Sequence, residues 1–237
     1  MIIAVPSKGR AGRTTTNQVL KSCVMYVPES EVNDYRRHCS QDVVGVPVSG
    51  ITKTRNWILD NTDSPRVVMI DDDVESQGWI RMQGEKSKKI SLSEDRWLAE
   101  FDVLFDVAED MGRRVWGIST DGAPCSVHTQ QPFLSRSYLT ASCLGILNHT
   151  GIRFDERFVV KEDYELGLRC VKEDGGFVAA RYLFWRNSHW SDDGGCKEYR
   201  TQLNELKAIK MLQEMYPGMI KQIKRGGCDY SISIHAG

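Results

Sequence analysis

Three consecutive carboxylates, Asp71-Asp72-Asp73, follow directly on the apolar run Val67-Val68-Met69-Ile70. Like charges this close repel, so the run costs stability unless something positive compensates. A divalent cation is the obvious compensator, because Mg2+ and Mn2+ are hard ions that prefer oxygen ligands. In an extended segment residues 71 and 73 point one way and Asp72 the other. Asp71 and Asp73 are therefore expected to share one ion or ligand, with Asp72 making supporting bonds. An ion of the magnesium type held this way keeps open positions for phosphate oxygens. A solvated acidic turn accounts for the same run without any function.

The run needs a strand beneath it, and the flanking sequence supplies one. Ile2-Ile3-Ala4-Val5 reads as a buried strand closed by Pro6, Cys23–Val27 as a second, Asp42–Val46 as a third and Val67–Ile70 as a fourth. Helical stretches separate them at 13–21, 29–39 and 51–61. This alternation predicts an α/β fold with a mainly parallel sheet covered on both faces. Ligands of such sheets bind at the carboxyl ends of the strands, where the three aspartates lie. Trp97, Phe101, Leu104, Phe105, Ala108 and Met111 recur at helical spacing and predict a long helix from Ser93, with a capping box in Ser91-Leu92-Ser93-Glu94. Strands are expected at 115–119, 141–147 and 176–185, a loop at 121–137, and helices at 162–172 and from Tyr199 to the Pro217-Gly218 stop. The tail from Lys221 to Gly237 is expected to be partly mobile.

The chain has 237 residues, 41% apolar and 27% charged, with a formal net charge of -1. That length suits one domain with a sizeable core, and the balance excludes a global field drawing it to nucleic acid or anionic lipid. Seven cysteines without a Cys-x-x-Cys pair support neither a zinc knuckle nor a redox motif. The apolar start stops at Pro6, and no run approaches the roughly 20 residues that span a bilayer. A cytoplasmic protein with reduced thiols, and no membrane partner, is the expectation.

A strand followed by Asp-x-Asp resembles the signature of glycosyltransferases of the GT-A fold. Three further stretches match in order: Val5-Pro6-Ser7-Lys8-Gly9-Arg10, Lys161-Glu162-Asp163-Tyr164-Glu165-Leu166 and Asn187-Ser188-His189-Trp190. A narrower resemblance, carried by Pro6–Arg13, Thr54-Arg55-Asn56 and Ile70–Val74, is to the TET-associated glycosyltransferases. These are phage and protist enzymes similar to the base J glucosyltransferase, linked to glycosylation of hydroxymethylated pyrimidines in DNA. The resemblance implies a UDP-sugar donor with Mn2+ or Mg2+ held by Asp71, Asp73 and His189. It implies donor contacts from Lys8, Arg10, Arg55, Asp71 and Asp72, and Asp163 as the base of an inverting transfer to 5-hydroxymethylcytosine. It implies one GT-A domain over residues 1–237, with a donor half at 1–115 and an acceptor half with its C-terminal helix and tail at 116–237.

Each assignment has a plainer counterpart. Lys8, Arg10 and Arg13 face a diphosphate only if their loop shares the sheet edge with Asp71; otherwise they form a basic surface loop. Gly9 and Gly12 would let backbone approach a ligand. Arg55 reaches donor phosphates, or pairs with Asp60 or another neighbour. Glu162 and Asp163 open a helix, where the dipole alone favours carboxylates. His189 is a metal ligand or a structural hydrogen bonder, with His128 as the fallback. Gly194-Gly195 and Gly226-Gly227 suit lids or ordinary loops. Basic clusters at 86–89, 113–114 and 221–225, with Trp79 and Trp97 flanking the first, suit a DNA strand and an extruded base, though such clusters are also ordinary solvated faces.

Three rivals stay open: a transferase acting on a polysaccharide, lipid or protein, a metal-dependent nucleotidyltransferase, and a non-enzymatic module with a decayed site. The oligomeric state is not legible.

Overall fold

A computed structural model describes residues 1–83, 86–118, 132–135, 139–188, 199–225 and 228–234. The first strands fall where the apolar runs predict them: β1 (Ile2–Pro6), β2 (Val24–Pro28), β3 (Val43–Val46) and β4 (Arg66–Ile70). Between them lie α1 (Thr16–Val19), shorter than expected, α2 (Val32–His38) after one 3-10 turn, and α3 (Ile51–Asp60). The later elements of the main sheet are β7 (Val115–Ile118), β8 (Phe133–Leu134), β9 (Cys143–Leu147) and β10 (Val178–Ala180). Their order is β3-β2-β1-β4-β9-β7-β10-β8. Pairing is parallel from β3 to β4, antiparallel through β9, parallel again from β7 to β10 and antiparallel to β8.

Side-chain alternation along the strands splits the core in two. Ile3, Val5, Val68 and Ile70 pack on one face with Tyr35 of α2 and with Trp97, Phe101, Leu104 and Phe105 of α4 (Glu94–Asp110). Ala4, Val67 and Met69 pack on the other with Ile58 and Leu59 of α3 and with Leu166 and Cys170 of α5 (Glu162–Asp174). Met111, expected on the buried stripe of α4, is exposed, because the helix ends one residue earlier. The expected capping box is also absent: Ser93 makes no side-chain cap bond, and the Glu94 carboxylate accepts from Ser22 N and Oγ instead, both at 2.7 Å.

Gly145 of β9 lies opposite Trp116 of β7. A Cβ there would run into the Trp116 indole, which stacks on Phe101 at 5.5 Å and meets Phe105 edge-on at 5.3 Å. Gly145→Ala is therefore expected to destabilise by about 1–3 kcal/mol through overpacking, read as a lower urea midpoint with an unchanged slope.

Two features depart from the sequence reading. The stretch read as one strand at 176–185 is broken at Arg181-Tyr182 and serves two sheets. β10 stays in the main sheet, while β11 (Leu183–Asn187) joins the hairpin of β5 (Val74–Gln83) and β6 (Lys86–Ile90) in the order β11-β5-β6. The tail forms a second hairpin, β12 (Ile220–Arg225) with β13 (Cys228–Ile234). With α6 (Gln202–Met215), whose Thr201 caps through Asn204 N, β12 and β13 adjoin the outer side of α5 around Phe158, Val160, Leu168, Leu212 and Tyr216. Apart from residues 132–135, the loop expected at 121–137 lies outside the described residues. Among the described residues, no helix is long and apolar enough to cross a membrane, and Cys23, Cys39, Cys143 and Cys170 are free thiols.

Candidate active site

The three aspartates sit at the carboxyl end of β4, where β5 begins. Their backbone is fixed by hydrogen bonds from three other segments. Thr15 N donates to Asp72 O at 3.0 Å, Thr16 Oγ1 to Asp71 O at 2.6 Å and Thr15 Oγ1 to Val74 O at 2.7 Å. Asp71 N donates to Ser142 O at 3.1 Å, and Ser188 N to Asp73 O at 3.0 Å. Buried backbone groups must find such partners, and here the partners set the direction in which each carboxylate leaves the chain.

Asp72 and Asp73 face the loop after β1. Ser7 Oγ donates to Asp72 and lies 2.6 Å from the Tyr35 hydroxyl, while Arg10 Nη1 donates to Asp72 at 2.5 Å and to Asp73 at 3.0 Å. Arg10 N donates to the same Tyr35 hydroxyl at 3.0 Å. Burial raises the Asp72 carboxyl above its ordinary range, against the pull of Arg10 and the Ser7 bond, and pushes the Tyr35 phenol up to about 12. One oxygen of Asp73, Oδ1, is buried with no hydrogen-bond partner among the described residues.

Asp71 faces the other way along the sheet edge. Arg55 of α3, 3% exposed, donates through Nη2 to Asp71 at 3.2 Å and to Ala141 O at 3.4 Å, and through Nη1 to Glu162. Ala141 N donates to Asp163 Oδ2 at 3.1 Å, and Tyr164 N to Asp163 Oδ1 at 2.9 Å. One buried guanidinium thus ties the aspartate run to the first turn of α5. That turn opens from Lys161, which holds a left-handed backbone (φ 62°), a conformation rare for a residue with a side chain. Thr52 and Asn56 of α3 bond to the backbone of Phe158 and Phe154, so α3 also fixes the approach to α5. Asn187 Nδ2 donates to Asp71 Oδ2 at 3.0 Å. Desolvation pushes the Asp71 carboxyl up to about 7, against the pull of Arg55 and with Asp73, Asp72 and Glu162 adding repulsion. Burial likewise raises Glu162, opposed by Arg55.

Of the expected residues, Arg10, Arg55, Asp71, Asp72, Asp73 and Asp163 are therefore linked at one sheet edge, with changes of partner. Arg55 pairs with Asp71 and Glu162 rather than with Asp60, which pairs with Arg153. Asp71 and Asp73 have different side-chain partners, Arg55 with Asn187 and Arg10 respectively. Lys8 lies half-buried two residues before Arg10, and Arg13 bonds to Gly9 O at 2.6 Å. Trp97 is buried beneath the main sheet and offers no surface to a base, whereas Trp79 lies under Arg81 at 5.3 Å. His189, His128, Gly194-Gly195 and Gly226-Gly227 lie outside the described residues. Ser7, Tyr35 and Asn187 were not legible as site residues. Ser7 and Asn187 carried a signal, standing in the matched stretches beside Lys8 and two residues before His189, whereas Tyr35 carried none.

Solved structures of similar fold include the mannosyltransferase PcManGT from Pyrobaculum calidifontis in complex with GDP-Man and Mn2+. It is 11% identical over 88% of this chain and 64% of that one, with a TM-score of 0.55. Glucosyl-3-phosphoglycerate synthase from Mycobacterium tuberculosis, in complex with Mn2+, UDP-Glc and phosphoglyceric acid, is 12% identical over 99% and 86%, with a TM-score of 0.52. S. aureus TarS in complex with UDP-GlcNAc is 13% identical over 90% and 67%, with a TM-score of 0.51. The chain spans 60% of the length of two further TarS structures. At these identities the likeness establishes the GT-A fold alone. Curated protein sequences give no match. The sequence model of the TET-Associated Glycosyltransferase family matches residues 1–196, so the chain belongs to the TET-associated glycosyltransferase family.

Proposed function

We propose that the chain, acting as one domain with its donor site in residues 1–115, transfers a sugar from a UDP-sugar to 5-hydroxymethylcytosine in DNA. Asp71 and Asp73 are the residues that would hold Mn2+ or Mg2+ for this reaction. The observation that carries this reading is the junction at Arg55, which ties a carboxylate cluster at a strand tip to the helix turn that presents Asp163.

The residues fit a divalent ion on two grounds. Asp71, Asp72, Asp73 and Glu162 bring four carboxylates against the guanidinium groups of Arg10 and Arg55, leaving a double negative charge when all are ionised. Asp73 Oδ1 is buried without a partner, a cost that an ion would remove. When bound, the ion supplies Lewis-acid stabilisation of the departing diphosphate. His189 is the remaining expected ligand.

The chain's own residues do the rest. Lys8 and Arg10 face the diphosphate from the loop after β1. Arg55, too buried to reach out, acts by fixing Asp71 and Glu162. Asp163 accepts the proton of the acceptor hydroxyl as that oxygen bonds to the anomeric carbon and the bond to the diphosphate oxygen breaks. Both Asp163 oxygens accept backbone N–H bonds, which fix the carboxylate without using all its lone pairs. The DNA acceptor is supported by Arg81 of β5 and Lys88 of β6, exposed and directly opposed in register. Like charges so placed are unfavourable until a phosphate backbone lies against them.

The test is incubation with Mn2+, a panel of UDP-sugars and hydroxymethylated DNA, with nucleosides then analysed by mass. A hexose-sized gain on the modified base supports the reading. Transfer to another polymer with DNA inert would replace the acceptor. Asp163→Asn is expected to lower the transfer rate at least about a hundredfold while UDP binding, measured by calorimetry, stays unchanged.

A further inference from the structure

We infer that Asn187 is a further ligand of the cation site, presenting its side-chain carbonyl oxygen to the ion that Asp71 and Asp73 hold. The inference rests on the cation reading above and adds to it a residue that the Asp-x-Asp pattern does not contain. Asn187 ends β11, opposite Val74 in register and one residue before Ser188, whose N–H holds Asp73 O at 3.0 Å. It is 4% exposed. Its Nδ2 donates to Asp71 Oδ2 at 3.0 Å. A carboxylate only accepts hydrogen bonds, so that contact fixes which end of the amide faces Asp71 and leaves Oδ1 as the free end. Oδ1 is buried without a hydrogen-bond partner among the described residues, and so is Asp73 Oδ1.

Two orphaned oxygens flanking one aspartate run are costly in a protein interior. An amide oxygen is a hard, neutral donor of the kind that Mg2+ and Mn2+ accept. Among the described residues, no three His, Cys, Asp or Glu side chains are placed to hold an ion. The amide of Asn187, already held against Asp71 and with its oxygen buried and unpartnered, offers the neutral donor that two carboxylates alone lack. It adds no negative charge to a cluster already carrying an excess, and its NH2 end locks Asp71 in the same contact.

Mn2+ is titrated into wild type, Asn187→Ala and Asn187→Asp, with and without UDP, and bound Mn2+ is followed by calorimetry and electron paramagnetic resonance. Asn187→Ala is expected to bind Mn2+ about tenfold more weakly or worse. Asn187→Asp keeps an oxygen in place and is expected to bind at least as tightly as wild type, with an altered Mn2+ line shape because a ligand has changed from amide to carboxylate. A purely structural Asn187 predicts the opposite for Asn187→Asp, since a carboxylate facing Asp71 would repel it. Wild-type affinity in Asn187→Ala, or an unaltered line shape in Asn187→Asp, overturns the assignment while leaving the Asp71–Asp73 site standing. Wild-type protein that takes up no Mn2+ overturns both. Should Asn187→Ala fail to fold, the Asn187→Asp line shape decides alone.

Discussion

Asp73→Ala is expected to abolish measurable Mn2+ uptake and to lower sugar transfer by about a thousandfold, the order seen when a preorganised electrostatic contact to developing charge is lost. The expectation comes from how the two oxygens of Asp73 are used. One accepts from Arg10 at 3.0 Å, and the other is buried and unpartnered. Removing the carboxylate takes away the open ligand position and frees Arg10 to pair with Asp72 alone. Asp72 cannot take over, because it is buried and both its oxygens are already engaged, one by Ser7 and the other by Arg10. The fold should survive, since the bond between Ser188 N and Asp73 O is made by backbone and does not depend on the side chain. Calorimetric titration with Mn2+ and UDP checks the first claim and turnover of a UDP-sugar the second. Full Mn2+ affinity in Asp73→Ala would remove the cation from the mechanism.

Arg55→Ala should cost the fold itself about 3–5 kcal/mol, the usual penalty for leaving buried charge without its partner. For a chain of this size that corresponds to a melting temperature lower by roughly 10 °C. Arg55 pairs with both Asp71 and Glu162, and without it Asp71 is left to the repulsion of Asp73, Asp72 and Glu162, while Glu162 faces Asp163 with the weaker pull of Arg200 against it. The effect carries a pH signature. Burial already raises both carboxyls above their unfolded values, Asp71 to about 7, and Arg55 is the main influence lowering them. A raised carboxyl means that the folded state binds protons the unfolded chain releases, so its unfavourable contribution is largest above the folded value and vanishes below the unfolded one. Deleting Arg55 lifts both further. The gap in melting temperature between Arg55→Ala and wild type should therefore be widest near pH 8 and should narrow toward pH 5. A gap that is constant with pH would mean that the loss is one of packing against Phe154, over whose ring the guanidinium lies at 5.5 Å.

The parallel half of the sheet was readable because each strand is an apolar run bounded by a turn and followed by a helical stretch, which leaves one economical topology. The site was readable by residue type: carboxylates at a strand tip, a basic loop after the first strand and an acidic pair opening a helix. What escaped is what depends on distant pairs. Ser7 meets Tyr35 and Asp72, and Arg55 meets Glu162, across separations of 28, 65 and 107 residues, and no local pattern encodes them. The β5–β6 hairpin was missed because Gln77, Arg81 and the lysines interrupt any apolar alternation, although Gln77 is buried and holds Trp97 Nε1 at 2.6 Å. The stretch read as a single strand at 176–185 is interrupted by Arg181, where the chain changes sheet, but one charged residue between two apolar runs does not by itself end a strand. In the tail, the alternating Ser231-Ile232-Ser233-Ile234 carried a period-two signal that was outweighed by the glycines before it.

The family match ends at residue 196, yet α5 does not stand on the matched region alone. Its outward side, with Phe158, Val160 and Leu168, is roofed by Ala208, Leu212, Tyr216 and Ile220, and Tyr216 reaches down to Glu165 at 2.8 Å. A chain trimmed to the matched boundary would bare a greasy flank on the very helix whose tip presents Asp163. Evolution of a shorter enzyme from this one would first have to repaint that flank with polar residues.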